Sequence, residues 1–294
     1  MSSFTYINFK SKLMKTILYA TDYSQQSISG LKFAHSLALK LKAQLIALHV
    51  FDIPISLASP VTVSYMKREK RLFVEHRVKL ENFCADHLGE QIKKLKPIIV
   101  VDEDGSVISG IQEKALRANA DLIVVGKKGA SKTKEFFLGS TPKGLYNKTS
   151  CPVLTIPTGA TTEHLSNIVY ASDFEQSDVF AIRKLTKIAE AFDATIKVIH
   201  ITTKEEYAGD QQMEWFKELL QENVDYSKIE FNLIYSETIF EDLQKFLVEA
   251  KADVLAMLER SEEIAIKRFF HRDLVKRMHN DIDIPLLSYT VGAL

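Results

Sequence analysis

The sequence predicts an α/β protein built from two tandem units, each a doubly wound parallel sheet of five strands with helices on both faces. Two observations predict this fold class. The chain has 294 residues, which is too many for one ordinary domain and enough for two that each bury a core. One segment also occurs twice, because Ile17-Leu-Tyr-Ala-Thr-Asp22 returns as Ile168-Val-Tyr-Ala-Ser-Asp173. Such a repeat indicates one structural unit used twice.

Each half continues with the same order of elements, namely a helix, a second strand and two later strands. These lie at 26–41, 45–49, 120–125 and 151–156 in the first half and at 176–192, 196–200, 252–257 and 284–289 in the second. Short runs rich in Val, Ile and Leu without clean alternation are typical of parallel strands buried on both faces. We expect the two sheets to pack about a pseudo-twofold axis. If the protein is a scaffold without nucleotide, which is one alternative, the last strands, 153–156 and 286–289, pair across this axis.

A short polar segment, Pro157-Thr-Gly-Ala-Thr-Thr162, separates the halves. Its proline and glycine neither extend the preceding strand nor start a long helix. We therefore place one domain at residues 1–158 and the other at 163–294. The first half is also longer between its second and third strands, where we interpret the charged stretch 64–94 as an inserted, solvated packing helix.

The composition excludes several classes of protein. Apolar residues make up 46% and charged residues 26%, as in a globular protein, and 38 basic side chains balance 38 acidic ones. This balance gives no general attraction for nucleic acid or anionic membranes. No apolar run reaches the roughly 18 residues of a membrane helix and the start lacks a signal peptide's apolar core, so we expect a cytoplasmic protein. Cys84 and Cys151 lie in different elements and indicate neither a disulfide nor a zinc site.

The glycines carry the strongest functional signal. Nine of the eleven glycines lie at or before Gly159, although the halves share one plan. Gly126 directly follows a strand, Gly129 comes after two further residues, and Gly139-Ser140 after nine more. Because glycine lets a ligand approach the main chain, such a loop can aim amide N–H groups at phosphate oxygens. Four other glycines we interpret as turn residues: Gly30, Gly89, Gly110 and Gly144.

Neighbouring residues strengthen the prediction of a phosphate site. Thr141 and Pro142 predict the start of a helix that runs to about Lys148, whose N-terminal dipole would face the same anion. Four lysines add positive charge nearby: Lys127, Lys128, Lys132 and Lys134. The segment is also one residue short of a P-loop, but Gly139 and Pro142 interrupt the helix that a P-loop requires.

The carboxyl ends of the first, second and fourth strands place further residues at the same edge of the sheet, where ligands of open α/β sheets bind. Asp22 follows the first strand and can bond a ribose or help to hold a metal. Val50 ends the second strand, and the backbone around it can receive a base edge. Asp22 and Asp173 also suit a purely structural role at the start of a helix.

The pattern Gly126-x2-Gly129-x9-Gly139-Ser140, with Ala20-Thr-Asp22 and His49-Val50, resembles the ATP-binding universal stress proteins, over about residues 14 to 290. The resemblance implies a Rossmann-like fold, ATP with magnesium as the ligand, glycines and the serine around the triphosphate, and the strand-end residues around the nucleoside. The predicted binding residues are Ala20, Thr21, Asp22, Val50, Val125, Gly126, Lys128, Gly129, Gly139, Ser140 and Thr141. Two positions depart from the family pattern. Ala20 replaces the proline that is often found before the Thr-Asp pair, and Pro142 directly follows the Ser-Thr pair. The resemblance therefore supports phosphate binding more strongly than base and sugar selectivity.

The second half lacks the glycine pattern. Leu258 stands where Gly126 would be, and Arg272-Asp273 replace Gly139-Ser140. These side chains would occupy the phosphate space, so we expect no ATP in this half.

Together with the glycine pattern, the resemblance implies an ATP-binding stress-response protein that acts as a nucleotide-dependent sensor or switch. Two alternatives stay open. One is slow ATP hydrolysis with Asp22 holding a metal, although the sequence names neither a water-activating base nor an arginine finger. The other is a nucleotide-free scaffold for protein partners. The expected partners are ATP and the other half of the chain, and the sequence leaves a homo-oligomer and an unidentified protein partner open.

Overall fold

The protein is an α/β fold, as the sequence predicts. A computed structural model describes residues 14–52, 63–127, 144–146, 149–203, 209–259 and 274–290. The first half contributes β1 (Thr16–Ala20), α1 (Gln25–Leu41), β2 (Gln44–Phe51), α2 (Val63–Leu88), β3 (Ile98–Glu103), α3 (Val107–Arg117), β4 (Leu122–Gly126) and β5 (Val153–Ile156). The second half contributes β6 (Asn167–Ala171), α4 (Gln176–Phe192), β7 (Thr195–Thr202), α5 (Gly209–Asn223), β8 (Ile229–Tyr235), α6 (Ile239–Glu249), β9 (Val254–Glu259), α7 (Leu274–Asp281) and β10 (Leu286–Thr290).

The described strands form one continuous sheet in the order β3-β2-β1-β4-β5-β10-β9-β6-β7-β8. Pairing is parallel within each half, whereas β5 and β10 pair antiparallel, with Leu154 opposite Leu287. The two predicted five-stranded sheets are therefore joined edge to edge at the pseudo-twofold axis. Because the pairing there is antiparallel, the carboxyl edges of the two halves lie at opposite sides of the sheet.

Apolar side chains cover both faces of this sheet. One core cluster combines strand residues with α1, α2, α4 and α5, and the other combines them with α3, α6, α7 and residues 144–146. Each cluster runs across both halves. The strands β1 and β4 lie in the middle of the first half, and their apolar residues are almost fully buried, as their continuous hydrophobic sequences predict.

The helices α1 and α4 are equivalent, since each has 17 residues and follows the first strand of its half. In α1 the Ser24 side chain accepts a hydrogen bond from the Ser27 amide, and in α4 Glu175 and Asp178 form a capping box. Each helix ends in a left-handed residue, Lys42 or Asp193. Local capping signals thus define both helices.

The interpretation of 64–94 as an inserted helix is wrong. The second half has its own helix, α5, at the same place between strands, and α2 is the longer counterpart with 26 residues against 15. The sequence similarity between these two helices is too low to reveal the equivalence. Despite the length of α2, the described ranges contain no helix with the apolar length needed to span a bilayer.

Candidate functional site

Six of the predicted binding residues lie together at the carboxyl edge of the first half. Ala20 ends β1 and pairs with Leu48 on one side and Val125 on the other, so three strand ends are adjacent. The six are Ala20, Thr21, Asp22, Val50, Val125 and Gly126. The other five predicted residues lie outside the described residues: Lys128, Gly129, Gly139, Ser140 and Thr141.

Thr21 holds the turn between β1 and α1. Its amide donates to the Leu48 carbonyl at 2.9 Å, and its hydroxyl donates to Ser27 Oγ at 2.9 Å. The same hydroxyl oxygen accepts from the Tyr23 amide at 3.0 Å. Tyr23 has a φ of +64°, a left-handed conformation that turns the chain sharply away from the sheet edge. The side chain of Thr21 therefore fixes the shape of the site.

Asp22 is not the N-cap residue of α1, which was one of the two interpretations of this residue. Its Oδ1 accepts from the Ser24 amide at 3.0 Å, and Ser24 itself caps α1. A carboxylate accepts about four hydrogen bonds. Asp22 therefore fits a ribose hydroxyl or a magnesium ion, which proteins hold through one or two carboxylates together with the phosphates. Within the described ranges, no three His, Cys, Asp or Glu side chains group into a metal site by themselves.

Gly126 also has a structural role, because α1 packs directly against it. An added Cβ would lie 2.7 Å from the Gln26 carbonyl oxygen and 3.0 Å from Ser27 Cα. At Gly30, within α1, a Cβ would lie 3.3 Å from the Gly126 nitrogen. The turn interpretation of Gly30 and Gly110 is therefore wrong, since both lie in helices that approach strand residues closely.

The equivalent edge of the second half is built differently. The pairing of Ala171 with Met257 matches that of Ala20 with Val125, which puts Leu258 at the position of Gly126. Leu258 is buried, and Asp178 occupies the position of Ser27. Its carboxylate accepts hydrogen bonds from the Tyr170 and Ser172 hydroxyls and the Asp173 and Glu175 amides. A bulky side chain and a buried carboxylate thus stand where the first half has bare backbone and a hydroxyl.

His49 links the ends of β1 and β2. Its Nδ1 lies 2.8 Å from the Thr21 carbonyl, which can only accept, so Nδ1 carries the proton and donates. His200 makes the same contact with the Ser172 carbonyl at 2.7 Å. Burial is the main cause that lowers the pKa of His49 to about 4. The interpretation of both histidines as partly buried strand residues is consistent with these contacts.

Two residues beside the glycine loop contact the second half, and sequence reasoning missed this. Lys127 Nζ donates to the carbonyls of Asn280, at 3.3 Å, and Ile282, so it is directed at α7. The Tyr146 hydroxyl lies 2.8 Å from His279 Nδ1 on the same helix. The expectation that Lys127 adds charge to the phosphate site is therefore not supported. Its burial lowers the pKa of Lys127, against the opposing effect of Asp283 and Asp281.

Comparison with known proteins places the first half in a family. The universal stress protein family model matches residues 14–157. The chain belongs to this family through its first half. A universal stress protein of Methanocaldococcus jannaschii is 28% identical over 160 residues, covering 50% of this chain and 96% of the relative. A second, from Thermus aquaticus, is 28% identical over 145 residues and covers 49% and 99%.

A solved structure extends the likeness in fold to both halves of this universal stress protein. The crystal structure of a universal stress protein from Archaeoglobus fulgidus aligns with a TM-score of 0.69, covering 95% of this chain and 99% of that one. The sequences are 15% identical, so this match concerns the fold alone. The tandem arrangement therefore has a counterpart among solved structures of the same family.

Replacing Gly126 by alanine should destabilise this universal stress protein even without any ligand. The new Cβ would overlap the Gln26 carbonyl, and we expect the free energy of unfolding to fall by about 1–3 kcal/mol. Gly105→Ala is the control, because no atom lies within 4 Å of the position that its Cβ would take. Urea unfolding measures both. Equal stability of the two variants would show that α1 does not need Gly126.

The stability of the protein should depend on pH through His49. The pKa of His49 is lowered to about 4 in the folded protein, below the ordinary histidine value of 6.5, so the unfolded chain binds more protons between these values. Stability should therefore fall as pH drops from 6.5 to 4, by on the order of 2 kcal/mol from this group. His49→Gln should flatten the profile in urea unfolding, whereas the exposed His164→Gln should not. Identical profiles for both variants and the wild type would contradict the assignment.

Proposed function

We propose that this universal stress protein binds one ATP, with magnesium, at the carboxyl edge of its first half and acts as a nucleotide-dependent sensor or switch in a stress response. One observation carries the proposal. The same edge is built twice in one chain, with Gly126 and Ser27 in the first half and Leu258 and Asp178 in the second. The second half thus serves as an internal comparison in which the features suited to an anion are replaced.

The strand ends supply the nucleoside side of the proposed site. Phe51 accepts from the Asp104 amide towards β3, whereas Leu48 accepts from the Thr21 amide towards β1. Val50 lies two residues after Leu48, so its main-chain N–H and C=O groups point to the same side of β2, towards β1. Because β1 ends at Ala20, opposite Leu48, no residue of β1 pairs with Val50. The main-chain groups of Val50 are therefore suited to a base edge, while the carboxylate of Asp22 is suited to the ribose or to magnesium.

The phosphate side of the proposed site is the main chain that follows β4. Gly126 is the last residue of β4, at the edge of the sheet. Because it has no Cβ, the first turn of α1 packs directly against its main chain. The remaining proposed ligands of the phosphates are Lys128, Gly129, Gly139, Ser140 and Thr141. Amides, hydroxyls and one lysine are groups that bind a triphosphate and compensate its charge.

The proposed groups favour binding over catalysis. Phosphoryl transfer is accelerated by residues that orient the attacking water and by cations that stabilise the transition state. Asp22, the carboxylate in the proposed site, already uses one oxygen to hold the turn before α1. We therefore propose that any ATP hydrolysis is slow and that the bound nucleotide acts by stabilising the folded state.

Gly139→Arg tests ATP binding, because it copies Arg272 of the second half into the first. Gly126 is unsuitable as a probe, since its replacement should destabilise the fold. At an ATP–magnesium concentration of 100 Kd, the wild type should gain about 2.7 kcal/mol of stability. Thermal unfolding should show this gain for the wild type and lose it for Gly139→Arg.

The matched control is Arg272→Gly at the corresponding position of the second half, which should keep the full effect of ATP. A wild-type melting curve that millimolar ATP with magnesium leaves unchanged would contradict the proposed function.

A further inference from the structure

Two described residues that flank the glycine loop, Lys127 and Tyr146, contact the second half. Lys127 is the last described residue before segment 128–143, and Tyr146 lies just after that segment. Both side chains contact α7 or the residues directly after it. The chain is thus held by the same helix where it enters and where it leaves the segment that carries the predicted phosphate ligands.

Lys127 binds the C-terminal end of α7. Its Nζ donates to the main-chain carbonyls of Asn280, at 3.3 Å, and Ile282. The last carbonyls of a helix have no partner within the helix and carry partial negative charge, which a lysine compensates. The Lys127 amide in turn donates to the Ile156 carbonyl at 2.7 Å. Both ends of this residue are therefore fixed.

Tyr146 and His279 occupy equivalent positions of the repeat and meet near the pseudo-twofold axis. Each lies six residues before a proline, Pro152 or Pro285. The Tyr146 hydroxyl lies 2.8 Å from His279 Nδ1 and 3.0 Å from Thr155 Oγ1. Tyr146 is 1% and His279 4% exposed, so this contact is made away from solvent, where a lost hydrogen bond is costly.

The topology explains why α7 reaches the first-half site. α7 connects β9 to β10, so it runs from the carboxyl edge of the second half to its amino edge. Because β5 and β10 are antiparallel, that amino edge lies on the same side of the sheet as the carboxyl edge of the first half. The C-terminal end of α7 therefore lies beside Lys127, at the edge where Gly126 ends β4.

We infer that Lys127 and Tyr146 are positioning residues for nucleotide binding and that α7 of the second half is their support. This inference rests on the proposed function. The second half, which lacks the glycine pattern, then contributes to the affinity of the first-half site without touching the ligand. Such coupling is reciprocal, so bound nucleotide also alters the surroundings of His279.

Affinity measurements on full-length variants test this inference. Tyr146→Phe removes one buried hydroxyl next to His279, and Lys127→Met removes the donors to α7 while keeping the chain length. Each should weaken ATP–magnesium binding by about 5- to 10-fold in isothermal titration calorimetry. Tyr170→Phe is the matched control, because it also removes one buried hydroxyl, bonded to Asp178 at 2.8 Å. It should lower the melting temperature similarly and leave the affinity within about 2-fold.

A second measurement uses the wild type and does not depend on how the variants fold. Addition of ATP–magnesium should shift the NMR signals of the His279 ring and leave those of His200 unchanged. Wild-type binding with unchanged affinity in both variants and no shift of His279 would overturn this inference alone. A wild type that does not bind ATP would overturn the proposed function and this inference with it.

Discussion

The antiparallel pairing of β5 with β10 holds the two halves of the chain in one sheet. It joins two parallel five-stranded sheets through Val153, Leu154 and Thr155 opposite Ser288, Leu287 and Leu286. Each final strand thereby gains a hydrogen-bonded neighbour in place of an exposed edge, and both core clusters extend across the junction. The same pairing puts the two carboxyl edges on opposite sides and brings the end of α7 to the first-half edge. One geometric relation thus determines both the sheet and the surroundings of the candidate site.

The two halves differ at the end of the strand that precedes the glycine loop or its counterpart. The first turn of α1 packs against a glycine there, whereas in the second half the corresponding position is a leucine. In the first half a glycine at the end of β4 allows the Gln26 carbonyl and Ser27 to approach the main chain. In the second half Leu258 and Asp178 take the corresponding positions, and the carboxylate binds the turn that follows β6. The fold tolerates both solutions because each satisfies the polar groups of the turn. Among the described residues, the end of β4 is a glycine and the end of β9 carries the buried Leu258 side chain at the same position.

Much of the fold could be predicted because its signals are local. The predicted strand 153–156 and helix 176–192 match β5 and α4, since apolar runs and capping residues mark them directly. The role of Gly30 could not be predicted from the sequence. A turn and a close contact between a helix and a strand both select glycine, so the residue type does not distinguish them. The partners of Lys127 lie 153 and 155 positions away, and no periodic pattern connects them. For the candidate site, the sequence predicted that the strand ends are adjacent, but it did not reveal that Lys127 and Tyr146 contact α7 and the residue after it.

We propose one nucleotide site per chain, in the first half. Native mass spectrometry of the full chain with ATP and magnesium measures this most directly, because it counts bound nucleotides on each molecule. One ATP per chain in the wild type, and none in Gly139→Arg, is the predicted result. Two nucleotides per chain, or none in the wild type, would contradict it.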